Sequence, residues 1–285
     1  MMNFRRAKYI GYVFETNLVG SGKADSYVRA LDILCNMLII NPLGFEDCID
    51  IWNITSLQRI AELKGLVTAE QVKQGESEWL CGDIPRSYLL KGYCKAALSS
   101  YGRFLVEQNQ EDGLLDIFEQ HKGSASELSV LLDTQPSNIA ALLDGLKDTC
   151  GDDVIRAVKT RLNQNVFRRM LIGIYSGSCC ITGLNVPEVN RASHIVAWAD
   201  DPSKRLDPSN GLYLSATYDA AFDKHLISLD DDYRIILSRK IKDHYTNKCV
   251  TDYFINKEGL KINLPSSYQP NKRYLAKHRA LGAFN

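Results

Sequence analysis

The spacing of apolar residues in the first half of the chain predicts helices. Apolar side chains recur every three or four residues within 25–41, 47–66 and 86–108, which is the period of one helix face. Leu31 and Leu34 belong to the first of these stripes. The pattern therefore predicts a helical N-terminal domain.

Two polar segments interrupt this pattern, at 111–113 and 147–153. The second marks the predicted boundary between a helical domain over residues 1–150 and another domain over residues 151–285. Residues 126–147 predict two short helices around a turn, the layout of a helix-turn-helix. The second of these helices carries no arginine, so a plain helical hairpin is the favoured interpretation.

The pattern of apolar and polar residues changes in the part of the chain that follows residue 151. One amphipathic helix is predicted to run to about Tyr175, and short apolar runs and loops follow it. The apolar runs 226–229 and 233–237 flank the acidic triplet 230–232, a pattern typical of two strands joined by a turn. The sequence predicts an α+β protein, helical first and mixed second.

The composition is that of an ordinary globular protein. The chain has 285 residues, of which 45% are hydrophobic and 24% charged. No window approaches the roughly 20 apolar residues that a membrane span needs, and no apolar run of a signal peptide follows the basic N-terminus. We expect a cytoplasmic protein without a membrane partner. The eight cysteines form no Cys-x-x-Cys pair, so reduced thiols are expected rather than a disulfide framework or a zinc ribbon.

The net charge of zero conceals an asymmetry between the halves. Residues 1–150 carry 14 Lys and Arg against 20 Asp and Glu, and residues 151–285 carry 20 against 14. Phosphates respond to the local field rather than to the total charge. A nucleic acid would therefore bind the C-terminal half.

One group of polar residues in that half has the side chains and the spacing of a catalytic site. His194 ends a predicted strand, Asn210 precedes the returning strand, and Asp219 and Asp223 share one face of the following helix. A neutral imidazole can take a proton from water, and two carboxylates can hold a hard divalent cation. The Asn210 amide can tie the loop to the strand. These parts suffice for metal-assisted phosphodiester hydrolysis.

At these residues the chain resembles the HNH endonucleases, the ββα-metal nucleases, and most of all their restriction-type branch. The resemblance covers about residues 155–285 and rests on three ordered stretches, 191–195, 206–215 and 219–223. The family's lead-in helix, the turn after it and its C-terminal tail are matched by Arg161, Gln164, Phe167, Arg168, Tyr175, 179–183, Leu275, His278, Arg279 and Phe284.

The resemblance implies a C-terminal ββα-metal domain and a role for each residue. His194 would be the general base, Asn210 would stabilise the fold around it, and Asp219 and Asp223 would bind a divalent metal, Mg²⁺ or alternatively Mn²⁺. Ser193 stands where many relatives carry a further metal ligand. The zinc knuckles of many relatives are missing, so no structural zinc is expected and Cys179 and Cys180 are interpreted as core thiols.

Basic residues near the site are candidate DNA contacts. Arg191, Lys204 and Arg205 are predicted to contact phosphates. For His278 and Arg279 the sequence leaves open whether they bind phosphate or only end a surface helix. His225, in the turn after the helix, is interpreted as structural.

The predicted function is that of a restriction-type defence endonuclease acting on double-stranded DNA, either site-specific or modification-dependent. One ββα site cuts one strand, so a double-strand cutter would be a homodimer, with the N-terminal domain serving recognition, dimerisation or both. Two alternatives remain open: a nicking or sequence-tolerant nuclease, and a DNA-binding or interaction module with a degenerate HNH core. A helical scaffold that binds a protein partner is a weaker third.

Overall fold

A computed structural model of the chain describes residues 4–134, 139–146, 152–197 and 202–284. The chain forms two compact units, each made of two separate segments. The first comprises residues 1–110 and 137–158, and the second comprises residues 111–136 and 159–285. Residues 111–136, which precede the predicted boundary near residue 150, thus group with the C-terminal residues.

Helices make up most of the chain before residue 175. In chain order they are α1 (Phe4–Thr16), α2 (Lys23–Ile40), α3 (Leu57–Val72), α4 (Arg86–Leu90), α5 (Tyr93–Gln120), α6 (Ala125–Thr134), α7 (Ile139–Gly145) and α8 (Asp152–Ile174). Among the described residues, no helix is both long enough and apolar enough to cross a bilayer. The predicted helical pair around residue 135 corresponds to α6 and α7, but the turn between them lies outside the described residues.

An aromatic cluster forms the centre of the first unit. Tyr9 of α1 lies 5.7 Å from Trp52, 5.4 Å from Tyr101 and 5.5 Å from Phe104, measured between ring centroids. The Tyr101 hydroxyl donates to the Ile54 carbonyl at 3.2 Å. Edge-to-face aromatic pairs of this kind add to the free energy gained by burial. The helical stripes predicted from the sequence therefore face a common core.

Three details of the helical prediction are wrong. The stretch 47–66 begins with two short 3₁₀ turns before α3, and the stretch 86–108 is divided between α4 and α5 at Gly92, whose φ is +76°. Residues 111–113 do not break the chain but lie inside α5. Arg169 holds this part of α5 through Glu111 at 3.0 Å and Asp112 at 3.2 Å, a long-range contact that offsets the low helix propensity of Gly113.

Two antiparallel strands and a helix follow α8 in the second unit. Strand β1 (Asn190–His194) pairs with β2 (Gly211–Ser215), with His194 opposite Gly211. Helix α9 (Ala216–Asp223) begins directly after β2 and packs against both strands. The α+β class and the ββα order are confirmed.

A second hairpin and three short helices follow in this unit. Strands β3 (Ile227–Leu229) and β4 (Ile235–Leu237) pair antiparallel, and the Asp230 carboxylate accepts bonds from the backbone N–H groups of Asp232 and Arg234. The predicted strand–turn–strand is therefore confirmed. The helices that follow are α10 (Arg239–Lys242), α11 (Lys248–Tyr253) and α12 (Lys272–Ala280), of which α12 packs on β3.

Candidate active site

His194 is held rigidly at the end of β1. Its ring stacks on Phe167 of α8 with 3.7 Å between centroids and 11° between planes, and its Nε2 lies 3.1 Å from the Arg205 carbonyl oxygen. A carbonyl only accepts hydrogen bonds, so Nε2 carries the proton and Nδ1 is the basic nitrogen of the neutral ring. Burial lowers the pKa of His194, against the opposing effect of the Arg205 carbonyl. The neutral form that a general base needs is thereby favoured.

Gly211 makes room for this stack. Its backbone is extended, with φ −128° and ψ 144°, so a turn conformation does not explain the glycine. A Cβ atom there would lie 2.7 Å from Leu171 and 2.9 Å from Phe167. The Asn210-Gly211 pair thus serves close packing of β2 on α8, directly opposite His194.

Asn210 joins the two ends of the loop between β1 and β2. The residue is 1% exposed. Its Oδ1 accepts from the Val196 N–H at 2.9 Å, and its Nδ2 donates to the carbonyls of Val196 at 3.1 Å and Lys204 at 3.2 Å. The Asn210 backbone carbonyl accepts from the Ile195 N–H. These bonds fix the backbone just after His194 and at Lys204, next to the Arg205 carbonyl that orients the His194 ring.

The two candidate metal ligands lie one turn apart on α9. The buried Ser193 hydroxyl donates to the Asp219 carboxylate, so the residue that replaces a metal ligand of many relatives instead orients a candidate ligand. Burial and the negative charge of Asp219 raise the pKa of Asp223. The two carboxylates therefore repel each other, and a cation between them would remove that repulsion.

This pair of carboxylates suits a hard divalent cation. The described part of the chain contains no group of three or more His, Cys, Asp or Glu side chains arranged to hold a metal ion. Mg²⁺ commonly takes only one or two carboxylates and completes its shell with water and substrate phosphate. Asp219 and Asp223 fit that mode of binding.

A pocket of about 670 Å³ opens beside His194. Asp223 lines it, and so do His225, Lys277 and His278. Sequence reasoning assigned no role in the site to His225 or Lys277. The only sequence signal was the position of His225 two residues after Asp223, because Lys277 comes from a distant helix that only the fold brings here.

The predicted phosphate contacts fall into two groups. Arg191 is exposed, and its guanidinium donates to the nearby carbonyls of Glu188 and Asn190. Lys204 and Arg205 are half-buried and lie on the loop before β2. The backbone carbonyl of Arg205 is the one that bonds to His194. These three residues lie on the elements next to the candidate base.

His278 and Arg279 hold α12 on the hairpin. His278 is 3% exposed, and the Arg279 guanidinium donates to the Leu229 carbonyl at 2.7 Å and pairs with Asp231 at 2.7 Å. Both side chains are engaged inside the unit, and these contacts favour a structural role over phosphate contact, the two alternatives that the sequence leaves open.

Cys179 and Cys180 are buried thiols, as the sequence predicts. Burial raises the pKa of Cys180 well above its ordinary value, and its backbone N–H donates to the Tyr213 carbonyl of β2. The pair packs the start of the ββα motif against its second strand.

Comparison with known families finds one match, which covers the segment that contains these residues. The family model for HNH endonucleases matches residues 179–230, a segment that contains β1, β2, α9 and β3. No curated protein matches the chain. Over this segment the chain is similar to HNH endonucleases, and the match supports nuclease activity in general and DNA as the substrate.

Proposed function

We propose that the protein is a metal-dependent DNA endonuclease of the restriction type, with His194 as its general base. The observation that carries the proposal is the placement of His194. Its half-buried ring is fixed by Phe167 and by the Arg205 carbonyl, and it lines one pocket with the candidate ligand Asp223. A fixed imidazole that lines the same pocket as a candidate metal ligand is suited to metal-assisted hydrolysis.

In the proposed reaction, Nδ1 of His194 takes a proton from the attacking water. The water oxygen forms a bond to phosphorus, the bond from phosphorus to the 3′ oxygen breaks, and that oxygen leaves as a 3′-hydroxyl after it takes a proton from solvent water. Asn210 keeps the loop in place so that the imidazole stays aligned. Mg²⁺ or Mn²⁺ bound by Asp219 and Asp223 would neutralise the negative charge that develops on the phosphate.

Double-stranded DNA is the proposed partner. Arg191, Lys204 and Arg205 supply positive charge beside the candidate base, and phosphate contacts of this kind position a duplex without reading its sequence. We place recognition of the target, dimerisation or both in the helical unit. Restriction in defence against foreign DNA is the biological role that the family resemblance suggests.

The test is incubation of the purified protein with unmodified plasmid and with cytosine-modified phage DNA, each with Mg²⁺, with Mn²⁺ and with EDTA. The proposal predicts cutting in the presence of metal and none with EDTA. A preference for one substrate distinguishes plain restriction from modification-dependent cleavage. DNA that is bound but never cut under any of these conditions contradicts the proposal.

A DNA-binding module with a degenerate HNH core is the second candidate. The observation in its favour is Ser193, which occupies a ligand position of many relatives and is committed to Asp219. Calorimetric titration with Mn²⁺ separates the two candidates. Binding that disappears in the double variant Asp219→Asn, Asp223→Asn supports the nuclease, whereas the absence of binding in the unaltered protein favours the degenerate module.

A further inference from the structure

Two histidines from distant parts of the chain meet at the pocket that contains His194. His225 follows α9, His278 belongs to α12, and Nδ1 of His225 lies 3.1 Å from Nε2 of His278. The His278 ring stacks on Phe222 with 3.8 Å between centroids. Both histidines line the pocket together with Asp223 and Lys277. Catalysis as proposed above uses neither histidine.

The contacts of His278 determine where the protons are. Its Nε2 lies 3.0 Å from the Phe222 carbonyl oxygen, which can only accept, so this nitrogen carries a proton. Its Nδ1 lies 2.9 Å from the Ser228 hydroxyl and accepts from it. Burial, together with the charges of His225 and Arg279 and against the Phe222 bond, lowers the pKa of His278 to about 4. The ring is therefore neutral, with its proton on Nε2.

This arrangement fixes the tautomer of His225. The proton on Nε2 of His278 is shared between the Phe222 carbonyl and Nδ1 of His225, so Nδ1 of His225 is an acceptor. The His225 ring then carries its own proton on Nε2. It presents an N–H donor, rather than a metal-binding lone pair, to whatever occupies the pocket.

The backbone at His225 determines which substitutions the turn tolerates. Its φ is +53°, in the left-handed region where glycine is the least strained residue. Glycine can therefore replace the histidine without strain in the backbone.

We propose that His225 is a further residue of the nuclease site, where its Nε2–H donates a hydrogen bond to a non-bridging oxygen of the scissile phosphate. His278 is the positioning residue that holds His225 in this tautomer. This inference rests on the proposed nuclease function, since it assigns a donor for the same phosphate that His194 and the carboxylates address. Lys277, on the same pocket wall, supplies charge to that phosphate.

Two substitutions at His225 test the donor. Glycine suits the backbone and removes the ring, so His225→Gly should fold as well as the unaltered protein and cut DNA at least about tenfold more slowly, because losing one transition-state donor is costly. His225→Asn tolerates the same φ, retains an N–H donor and should recover part of the rate. His244→Ala, at an exposed histidine outside the pocket, is the matched control and should cut normally.

The metal dependence separates a phosphate donor from a metal ligand. The Mg²⁺ concentration at half-maximal cleavage should be the same in His225→Gly as in the unaltered protein. A large rise in that concentration would assign His225 to the metal and overturn the proposal. Equal cleavage rates for His225→Gly and the unaltered protein would also overturn it while leaving the nuclease function intact. Failure of the unaltered protein to cut refutes the proposed function itself.

The positioning role of His278 has a spectroscopic signature. Long-range ¹H–¹⁵N spectra of histidine-labelled protein above pH 7 should show both His225 and His278 protonated on Nε2. In His278→Leu the His225 signals should shift to a mixture of tautomers. A proton on Nδ1 of His225 in the unaltered protein, or an unchanged His225 tautomer in the variant, would overturn the role given to His278.

Discussion

At the scale of single residues, His278 makes the stability of the fold depend on pH. Its pKa of about 4 lies below its ordinary value of 6.5, so between these values the unfolded chain binds a proton that the folded chain does not. This contribution to stability is complete above pH 6.5 and declines as the pH falls toward 4. The loss amounts to something on the order of 3 kcal/mol.

Denaturant unfolding at pH 7 and pH 4.5 measures this loss. The unfolding free energy of the unaltered protein should fall more steeply with acid than that of His278→Gln, which lacks the titrating group. Parallel pH dependence of the two proteins would show that His278 titrates normally in the folded state.

Replacing Asp223 should weaken metal binding without lowering the stability of the metal-free protein. In Asp223→Asn the Mg²⁺ concentration at half-maximal cleavage should rise by at least about tenfold, because one of two candidate ligands is weakened. Without metal the variant should be as stable as the unaltered protein, or up to about 0.5 kcal/mol more stable, since repulsion by Asp219 is removed. Thermal unfolding in EDTA checks the second expectation. Asp116→Asn, on the exposed face of α5, is the control.

At the scale of secondary-structure elements, the contact between β2 and α8 depends on one missing side chain. Gly211→Ala places a methyl group within 2.9 Å of both Leu171 and Phe167, and overpacking of this kind costs about 1–3 kcal/mol. The displaced Phe167 would also release its stack on His194, so cleavage should fall together with the melting temperature.

Gly65→Ala, the same substitution in helix α3, is the matched control for Gly211→Ala. Gly65 lies in the middle of α3 with open space around it, and alanine there should stabilise the helix by roughly 0.5–1 kcal/mol. A Gly211→Ala protein as stable and as active as Gly65→Ala would contradict the close packing described for β2.

The elements around the site could be predicted because their sequence signals are local. The ordered stretches 191–195, 206–215 and 219–223 place His194, Asn210 and the two aspartates on strand, loop and helix, and the structure shows these elements. The continuity of α5 through 111–113 could not be predicted. Arg169 forms ion pairs with Glu111 and Asp112 there, and a contact with so distant a residue leaves no mark on the local pattern.

At the scale of the whole molecule, each compact unit is made of two separate stretches of the chain. Polar runs predict a domain boundary near residue 150, and the compact units assign residues 111–136 to the second unit and residues 137–158 to the first. The spacing of apolar residues indicates which face of a helix is buried. It does not indicate against which part of the protein that face packs. The pocket is hidden for the same reason, because His225 and Lys277 meet only through the fold.

Whether the protein cuts one or both DNA strands indicates its oligomeric state. One HNH domain cuts one strand, so the proposed double-strand cutter requires two copies related by two-fold symmetry. Supercoiled plasmid should then yield discrete linear products, and light scattering should show a dimer. Open circles that accumulate without linear product, from a monomeric protein, would instead assign the chain to the nicking nucleases.

The measurement that tests the central claim most directly compares the unaltered protein with His194→Ala on plasmid DNA in Mg²⁺, with DNA binding measured in parallel. Loss of a general base should slow cleavage by roughly 10²- to 10⁴-fold and leave DNA affinity unchanged, because the ring is stacked inside the site rather than committed to the duplex. A variant that cuts as fast as the unaltered protein would contradict the assignment of His194 and the mechanism built on it.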